Sequence, residues 1–182
     1  QVNWASGFSV THNSTTYTDW RLPTTVDATK VSSYLDPGYY TGNDPSGYNI
    51  TTSELGHLYY TELGNLAYYD TSGTGPQQGF GLNNTGDFQN LRNLQNNGSD
   101  NIYWSGTEWS DDMTGAWYFH FYNGVQNTDG KWHERHGIAV RDGDVADAVP
   151  EPTTVALLSI GLFGLVGAEV RRRRKKKLVD NS

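Results

Sequence analysis

The residues with the richest chemistry lie in two loops of the last third of the chain, Gly106 to Asp112 and Asn127 to His136. Ligand-binding residues generally accumulate on loops that a rigid scaffold carries. Flat aromatic rings flanked by Asn, Asp and Thr suit sugars, because a ring packs on C–H faces while polar groups bind hydroxyls. We therefore predict a ligand-binding site in these loops. Its contact residues are Trp109, Lys131, Trp132 and Arg135.

The charge around Lys131 and Arg135 differs from that of the chain up to residue 149. With the protonatable His133 and His136 they form a local basic cluster, whereas residues 1–149 hold six Lys/Arg and 17 Asp/Glu, a net charge of −11. Such a body repels anionic polymers except at the cluster. We therefore predict an anionic polysaccharide as the ligand. Nucleic acid is disfavoured as a partner, because its phosphates require Lys/Arg neutralisation.

The sequence contains no recognisable catalytic constellation. It has no Cys, which excludes thiol nucleophiles, disulfides and thiolate metal sites. It also has no Gly-x-Ser-x-Gly elbow and no His-Glu-x-x-His motif. We predict that the protein is not an enzyme, with an uncharacterised hydrolase as a remote alternative, and that it has no cofactor. Calcium stays open, because six loop carboxylates could supply oxygen ligands without showing the spacing of a calcium loop: Glu108, Asp111, Asp112, Asp129, Asp142 and Asp144.

A second chemically distinct pattern lies in the tail. A Pro-Glu-Pro triplet at 150–152 precedes an apolar run from Val155 to Val170, and seven consecutive cations follow at 171–177. The apolar run is nearly long enough to cross a bilayer, and a cationic flank stops transfer and stays in the cytoplasm. The pattern predicts a linker over 146–153, a transmembrane helix over 154–170 and a basic cytoplasmic tail over 171–182.

The order of these tail segments resembles the PEP-CTERM sorting signal of bacterial exported proteins. The resemblance implies an exosortase, a membrane transpeptidase-like enzyme, as a partner that processes the chain near the triplet. It also implies an inner-membrane stage during export, followed by the cell surface or the extracellular space. An ordinary single-span anchor is the alternative. The residues that the resemblance assigns to sorting are Pro150, Glu151, Pro152, Arg171, Arg172, Arg173 and Arg174.

The body before the tail is predicted to be an α+β domain. Apolar residues at helical intervals predict one main helix over Thr52–Leu63, with capping-box spacing between Thr51 and Glu54. It is expected to pack on a small, mostly antiparallel sheet that contains Tyr103, Trp117, Phe119 and Val140, connected by long loops. Two further features of this sheet are a two-residue turn at Asn123-Gly124 and a last strand over Ile138–Arg141.

Two kinds of side chain in the body carry specific expectations about burial. Trp20, Trp104 and Trp117 are predicted to lie in the core, whereas Trp109 and Trp132 fall in polar loops. Arg21, between Trp20 and Leu22, is costly to bury alone and is expected to have a carboxylate partner or a stacked aromatic ring.

Five segments of the body occur in the order of the Lcl C-terminal domain family: 19–24, 53–65, 103–107, 116–119 and 139–141. The body therefore resembles that family, which implies a C-type-lectin-like fold related to formylglycine-generating enzymes. Some members are adhesins that bind sulfated polysaccharides. The family pattern normally starts earlier than Gln1, so residues 1–145 are expected to be a domain with its start missing. The predicted function is a surface or extracellular-matrix protein that binds polysaccharide, and the alternative is a structural surface module without a discrete ligand.

Overall fold

The computed structural model describes residues 1–29, 37–91 and 101–142, which belong to one compact unit, Gln1–Asp142. This unit is a small α+β fold with antiparallel sheets and few helices. The helical elements are α1 (Val2–Ser6), α2 (Pro37–Thr41), α3 (Glu54–His57) and a π-helical turn (Leu58–Glu62) that continues α3. The strands are β1 (Val10–His12), β2 (Thr15–Tyr17), β3 (Ile102–Glu108), β4 (Gly115–His120) and β5 (Val125–Gly130).

The central sheet has the antiparallel order β3-β4-β5, with β4 in the middle. Successive side chains of a strand alternate between the two faces, so Trp117 and Phe119 point one way and Ala116 and Tyr118 the other. Both faces of β4 are covered: Phe119 packs in a cluster beneath the main helix, while Ala116 packs in a second cluster beside Ala5 of α1. The middle strand is therefore the part of the body around which the core forms.

The main helix packs on the sheet as predicted. Leu55, Tyr59 and Leu63 lie on one side of it and are buried against the sheet, with the Tyr59 ring centroid 5.4 Å from that of Phe119. Its start differs from the predicted capping box, because the Ser53 hydroxyl accepts the N-terminal hydrogen bond, from Gly56 N at 3.1 Å. Glu54 does not cap the helix, since its carboxylate is engaged by Arg21.

Two predicted β features are wrong in detail. Val140 lies outside the central sheet and forms an isolated antiparallel bridge with Arg21 instead of a strand over Ile138–Arg141. The β4–β5 connection spans residues 121–124 and joins the His120–Val125 pair, so it is longer than a two-residue turn. A hydrogen bond ties this loop to the main helix: the Tyr60 hydroxyl donates to Gly124 O at 2.5 Å.

The Arg21–Val140 bridge joins the segment after β2 to the C-terminal end of the described unit. Arg21 Nη1 and Nη2 contact the two carboxylate oxygens of Glu54 at 2.7 and 2.9 Å, and Asp142 also pairs with the guanidinium. These bonds confirm the predicted carboxylate partner. They raise the pKa of Arg21 and, aided by hydrogen bonds from Thr24, lower the pKa of Glu54 to about 2.

The tail assignments lie outside the described residues. They comprise the linker at 146–153, the transmembrane helix at 154–170 and the basic tail at 171–182. In the part of the chain that the structure does describe, no helix is long and apolar enough to cross a membrane.

Candidate functional site

A groove of about 470 Å³ opens between the start of α1 and the face of the β3–β4 pair that carries Trp104 and Ala116. One wall belongs to the first residues of the chain and the other to β3 and the segment after β5. Its lining residues are Gln1, Val2, Asn3, Leu22, Trp104, Ser105, Gly106, Glu108, Ala116 and Lys131. The groove therefore joins the two predicted site loops to a helix that sequence reasoning did not connect with them.

The floor of the groove is apolar and rigid. Trp104 is 7% exposed and packs in one cluster with Ala5, Leu22 and Ala116. Gly106 allows the Leu22 segment to cross β3 closely, because a Cβ at position 106 would lie 3.2 Å from Leu22 Cβ. Backbone hydrogen bonding from Gly106 N to Pro23 O, at 2.8 Å, fixes this crossing. The floor is thus preformed and does not depend on a ligand.

The rim of the groove is polar. Lys131 Nζ pairs with the Glu108 carboxylate and also donates a hydrogen bond to Met113 O at 2.7 Å. The Lys131 backbone is fixed next to the start of β4, since its N–H donates a hydrogen bond to Thr114 O at 2.9 Å. The structure therefore brings together the two loops in which the sequence predicts a site.

Trp132 stands next to Lys131 and is 73% exposed, more than any other large hydrophobic side chain in the described ranges. Its ring lies over Gly130, where an added Cβ would come within 2.3 Å of Trp132 Cζ2. A glycine at position 130 is therefore required for this ring position. Trp109 is different, because its ring packs on Gly115 and is half-buried instead of exposed in a polar loop.

The basic cluster predicted from the sequence is neutralised by carboxylates. The Arg135 side chain is only 13% exposed, and its Nη2 donates a hydrogen bond to Asp129 Oδ2 at 2.8 Å. His133 lies 3.5 Å from the other oxygen of Asp129, and Lys131 pairs with Glu108. The sequence did not indicate these pairings, which arise because the turn after β5 brings both cations onto acidic residues. The assignment of Lys131, Arg135, Trp109 and Trp132 as ligand contacts stays a prediction.

Asp27 anchors the loop after β3 through hydrogen bonds that the sequence did not predict. Its Oδ1 accepts hydrogen bonds from Trp117 Nε1 at 3.0 Å and from Ser110 N at 3.2 Å. These donors stabilise the carboxylate and lower the pKa of Asp27, with the indole hydrogen bond as the main cause. No sequence signal marks a contact across more than eighty residues, so Asp27 and the groove residues Gln1 and Asn3 were missed.

The acidic residues considered for calcium are dispersed or already engaged. Across the described ranges, no three His, Asp or Glu side chains meet in a group able to hold a metal ion. Asp112 accepts a hydrogen bond from the Thr114 hydroxyl at 2.7 Å, which lowers the pKa of Asp112, and Asp129 binds Arg135. Asp144 lies outside the described residues. The groove has an apolar floor and a polar rim.

Comparison with known proteins identifies the tail. The PEP-CTERM protein-sorting motif matches residues 148–175, which include the Pro-Glu-Pro triplet and the cations Arg171 to Arg174. No curated protein and no solved structure matches the chain. The chain therefore carries a PEP-CTERM sorting motif, the kind of signal that an exosortase recognises and that directs bacterial proteins to the cell envelope or surface.

Proposed function

We propose that this exported protein displays a polysaccharide-binding domain, and that the ligand occupies the groove beside Trp132. The observation that carries the proposal is the 73% exposed indole of Trp132, which directly follows Lys131, a lining residue of a groove of about 470 Å³ with an apolar floor. Large exposed aromatic side chains mark binding surfaces, and pockets for small ligands combine apolar walls with a few polar groups.

The apolar part of the groove lining suits one face of a pyranose ring. Trp104 and Ala116 supply the apolar surface on which C–H groups pack, and Trp132 offers a second ring outside the groove. Sugar hydroxyls both donate and accept hydrogen bonds. The Asn3 amide and the Glu108–Lys131 pair provide both kinds of partner along the rim.

The ion pairs favour a neutral polysaccharide over an anionic one. Lys131 and Arg135 are each neutralised by a carboxylate, while Asp111 and Asp112 lie in the neighbouring loop. An acidic polymer would have to displace Glu108 or Asp129 before its own carboxylates gained a cation. A neutral chain of sugars needs no such exchange.

The C-type-lectin-like fold is part of this proposal. Its support is the antiparallel pairing of an early segment with a late one at Arg21 and Val140, together with a three-stranded antiparallel sheet joined by long loops. Loops on such a scaffold suit ligand binding, because the sheet fixes their ends.

The test is a polysaccharide-binding titration of the full-length chain in detergent, with neutral and uronic polysaccharides compared. We expect saturable binding to a neutral polysaccharide and at least about a tenfold loss in Trp132→Ala, the order of effect of removing an aromatic anchor. Leu66→Ala is the matched control, since Leu66 is 45% exposed and does not line the groove. An absence of saturable binding to every polysaccharide would contradict the proposal and favour a structural surface module.

A further inference from the structure

A second exposed apolar surface lies on the N-terminal part of the body. Trp4 of α1 is 48% exposed, Phe8 37% and Val10 of β1 38%. The Trp4 and Phe8 rings are 5.6 Å apart, and Phe8 is in turn 5.6 Å from the half-buried Trp20. We call Trp4, Phe8, Val10 and Trp20 the aromatic face.

The geometry of the aromatic face does not suit a sugar. Its neighbouring rings meet at interplanar angles of 35° and 74°, so they form a wedge of ring edges instead of one flat platform. The β1–β2 hairpin beside it is almost wholly exposed and is paired with no third strand among the described residues. Wedges of Trp and Phe on an exposed element are typical of insertion at the headgroup boundary of a bilayer.

The charge distribution points in the same direction. Residues 1–18 contain no Asp, Glu, Lys or Arg, and their titratable side chains are His12 and Tyr17. The remainder of the body carries the whole net charge of −11 and is repelled by anionic phospholipid headgroups. Residues 1–18 can approach an anionic lipid surface without this electrostatic repulsion. Asp19 directly follows this segment in the sequence, and Asp142 is paired with Arg21.

The chain leaves the described unit beside the aromatic face. Arg141 lies over the Tyr17 ring at 5.2 Å and donates a hydrogen bond from Nε to Thr18 O at 3.0 Å. Trp20 bonds the same strand end, from Nε1 to Tyr17 O at 3.1 Å. The exit toward the sorting tail is therefore fixed within the segment that carries Trp20.

The sequence sets how far the body can stand from the apolar tail. Residues 143–154 separate Asp142 from the apolar run that starts at Val155. A chain of this length spans at most about 40 Å when fully extended. A tail inserted in a membrane would thus hold the aromatic face within reach of the lipid surface.

We propose that the aromatic face docks on the phospholipid surface while the sorting tail is still attached. The face inserts Trp4, Phe8 and Val10 among the headgroups and orients the acidic remainder of the body away from the membrane. This interaction is separate from polysaccharide binding and does not depend on the groove.

The absence of cysteine makes the proposal directly testable in the full-length chain. Single Val10→Cys and Leu66→Cys variants are labelled with the same environment-sensitive fluorophore and reconstituted in vesicles of phosphatidylglycerol and phosphatidylethanolamine. A fraction of the lipid carries a quenching nitroxide close to the headgroup. Leu66 is the matched control because it is exposed to a similar extent, 45% against 38% for Val10. Phe8→Cys provides a second reporter on the same face if the Val10 variant does not fold, as judged by circular dichroism.

The expected result is a blue-shifted emission and nitroxide quenching at Val10 or Phe8, with neither effect at Leu66. Adding Trp4→Ser should reduce the quenching, since the largest anchor of the face is removed. Equal quenching at both positions, or none at either, would overturn the proposal. Lipid-independent self-quenching of the Val10 label would also overturn it, because it would show a second copy of the chain on this face.

Discussion

Two tryptophans, one in β4 and one just after β5, have opposite environments. Trp117, in the middle strand, is 0% exposed and bonds Asp27 through its indole nitrogen. Trp132, two residues after β5, is 73% exposed, with its ring over Gly130 and 5.6 Å from the His133 ring. The residue type is the same, so the position in the sheet decides whether an aromatic side chain stabilises the fold or remains available to a ligand.

The largest expected effect separates these two positions by stability. Trp117→Ala should lower the free energy of unfolding by about 3–5 kcal/mol, because it leaves a cavity under the sheet and removes the partner of Asp27. Trp132→Ala should change it by less than about 0.5 kcal/mol, as expected for an exposed site. Urea unfolding of the two variants, followed by circular dichroism, measures both values. Similar losses in both variants would remove the distinction between a buried and an available tryptophan.

A smaller effect on stability is expected from the ion pairs. Arg21–Glu54 is bidentate and joins the segment after β2 to the start of the main helix, whereas Lys131–Glu108 lies on the rim of the groove with both side chains partly exposed. Hydrogen bonds from Arg21 lower the pKa of Glu54 from 4.5 to about 2. A carboxylate with a depressed pKa stabilises the fold above its unfolded value, and this contribution is lost as the pH falls from about 4.5 to about 2.

The prediction is that Glu54→Gln lowers the thermal midpoint at neutral pH and flattens its fall between about pH 4.5 and pH 2. Thermal unfolding at a series of pH values, with tyrosine and tryptophan fluorescence as the signal, checks this. Glu62→Gln is the control, since the Glu62 side chain is 62% exposed and its ion-pair partner among the described residues is the exposed His57. An unchanged acid profile in Glu54→Gln would show that the Arg21 contact does not stabilise the body.

Local patterns were enough to predict the elements that position the site. The prediction that Trp117 and Phe119 lie in the sheet is confirmed by β4, helical spacing predicted the helix that carries Leu55 and Tyr59, and the order of the tail segments predicted the sorting motif. The cost of burying a lone guanidinium predicted a carboxylate or a stacked aromatic ring beside Arg21, and the structure shows the carboxylate. These features depend on neighbours in the sequence or on the chemistry of one residue.

The features that the sequence did not predict depend on long-range pairing. Lys131 and Arg135 are close to each other in the sequence, but only the fold shows that Glu108 and Asp129 neutralise them. The groove wall formed by Asn3 is likewise more than one hundred residues from Trp104 along the chain. Several acids were available to each cation, so composition alone could not identify the partner.

The central claim is that the groove beside Trp132 binds polysaccharide, and hydroxyl-radical footprinting of the full-length chain tests it most directly. Tryptophan oxidation is measured by mass spectrometry with and without a saturating concentration of the polysaccharide that the titration selects. We predict that Trp132 is oxidised in the free protein and protected by the ligand, that Trp4 is oxidised equally in both states, and that Trp117 is oxidised in neither. Oxidation of Trp132 that stays the same when the protein is saturated with ligand would contradict the claim.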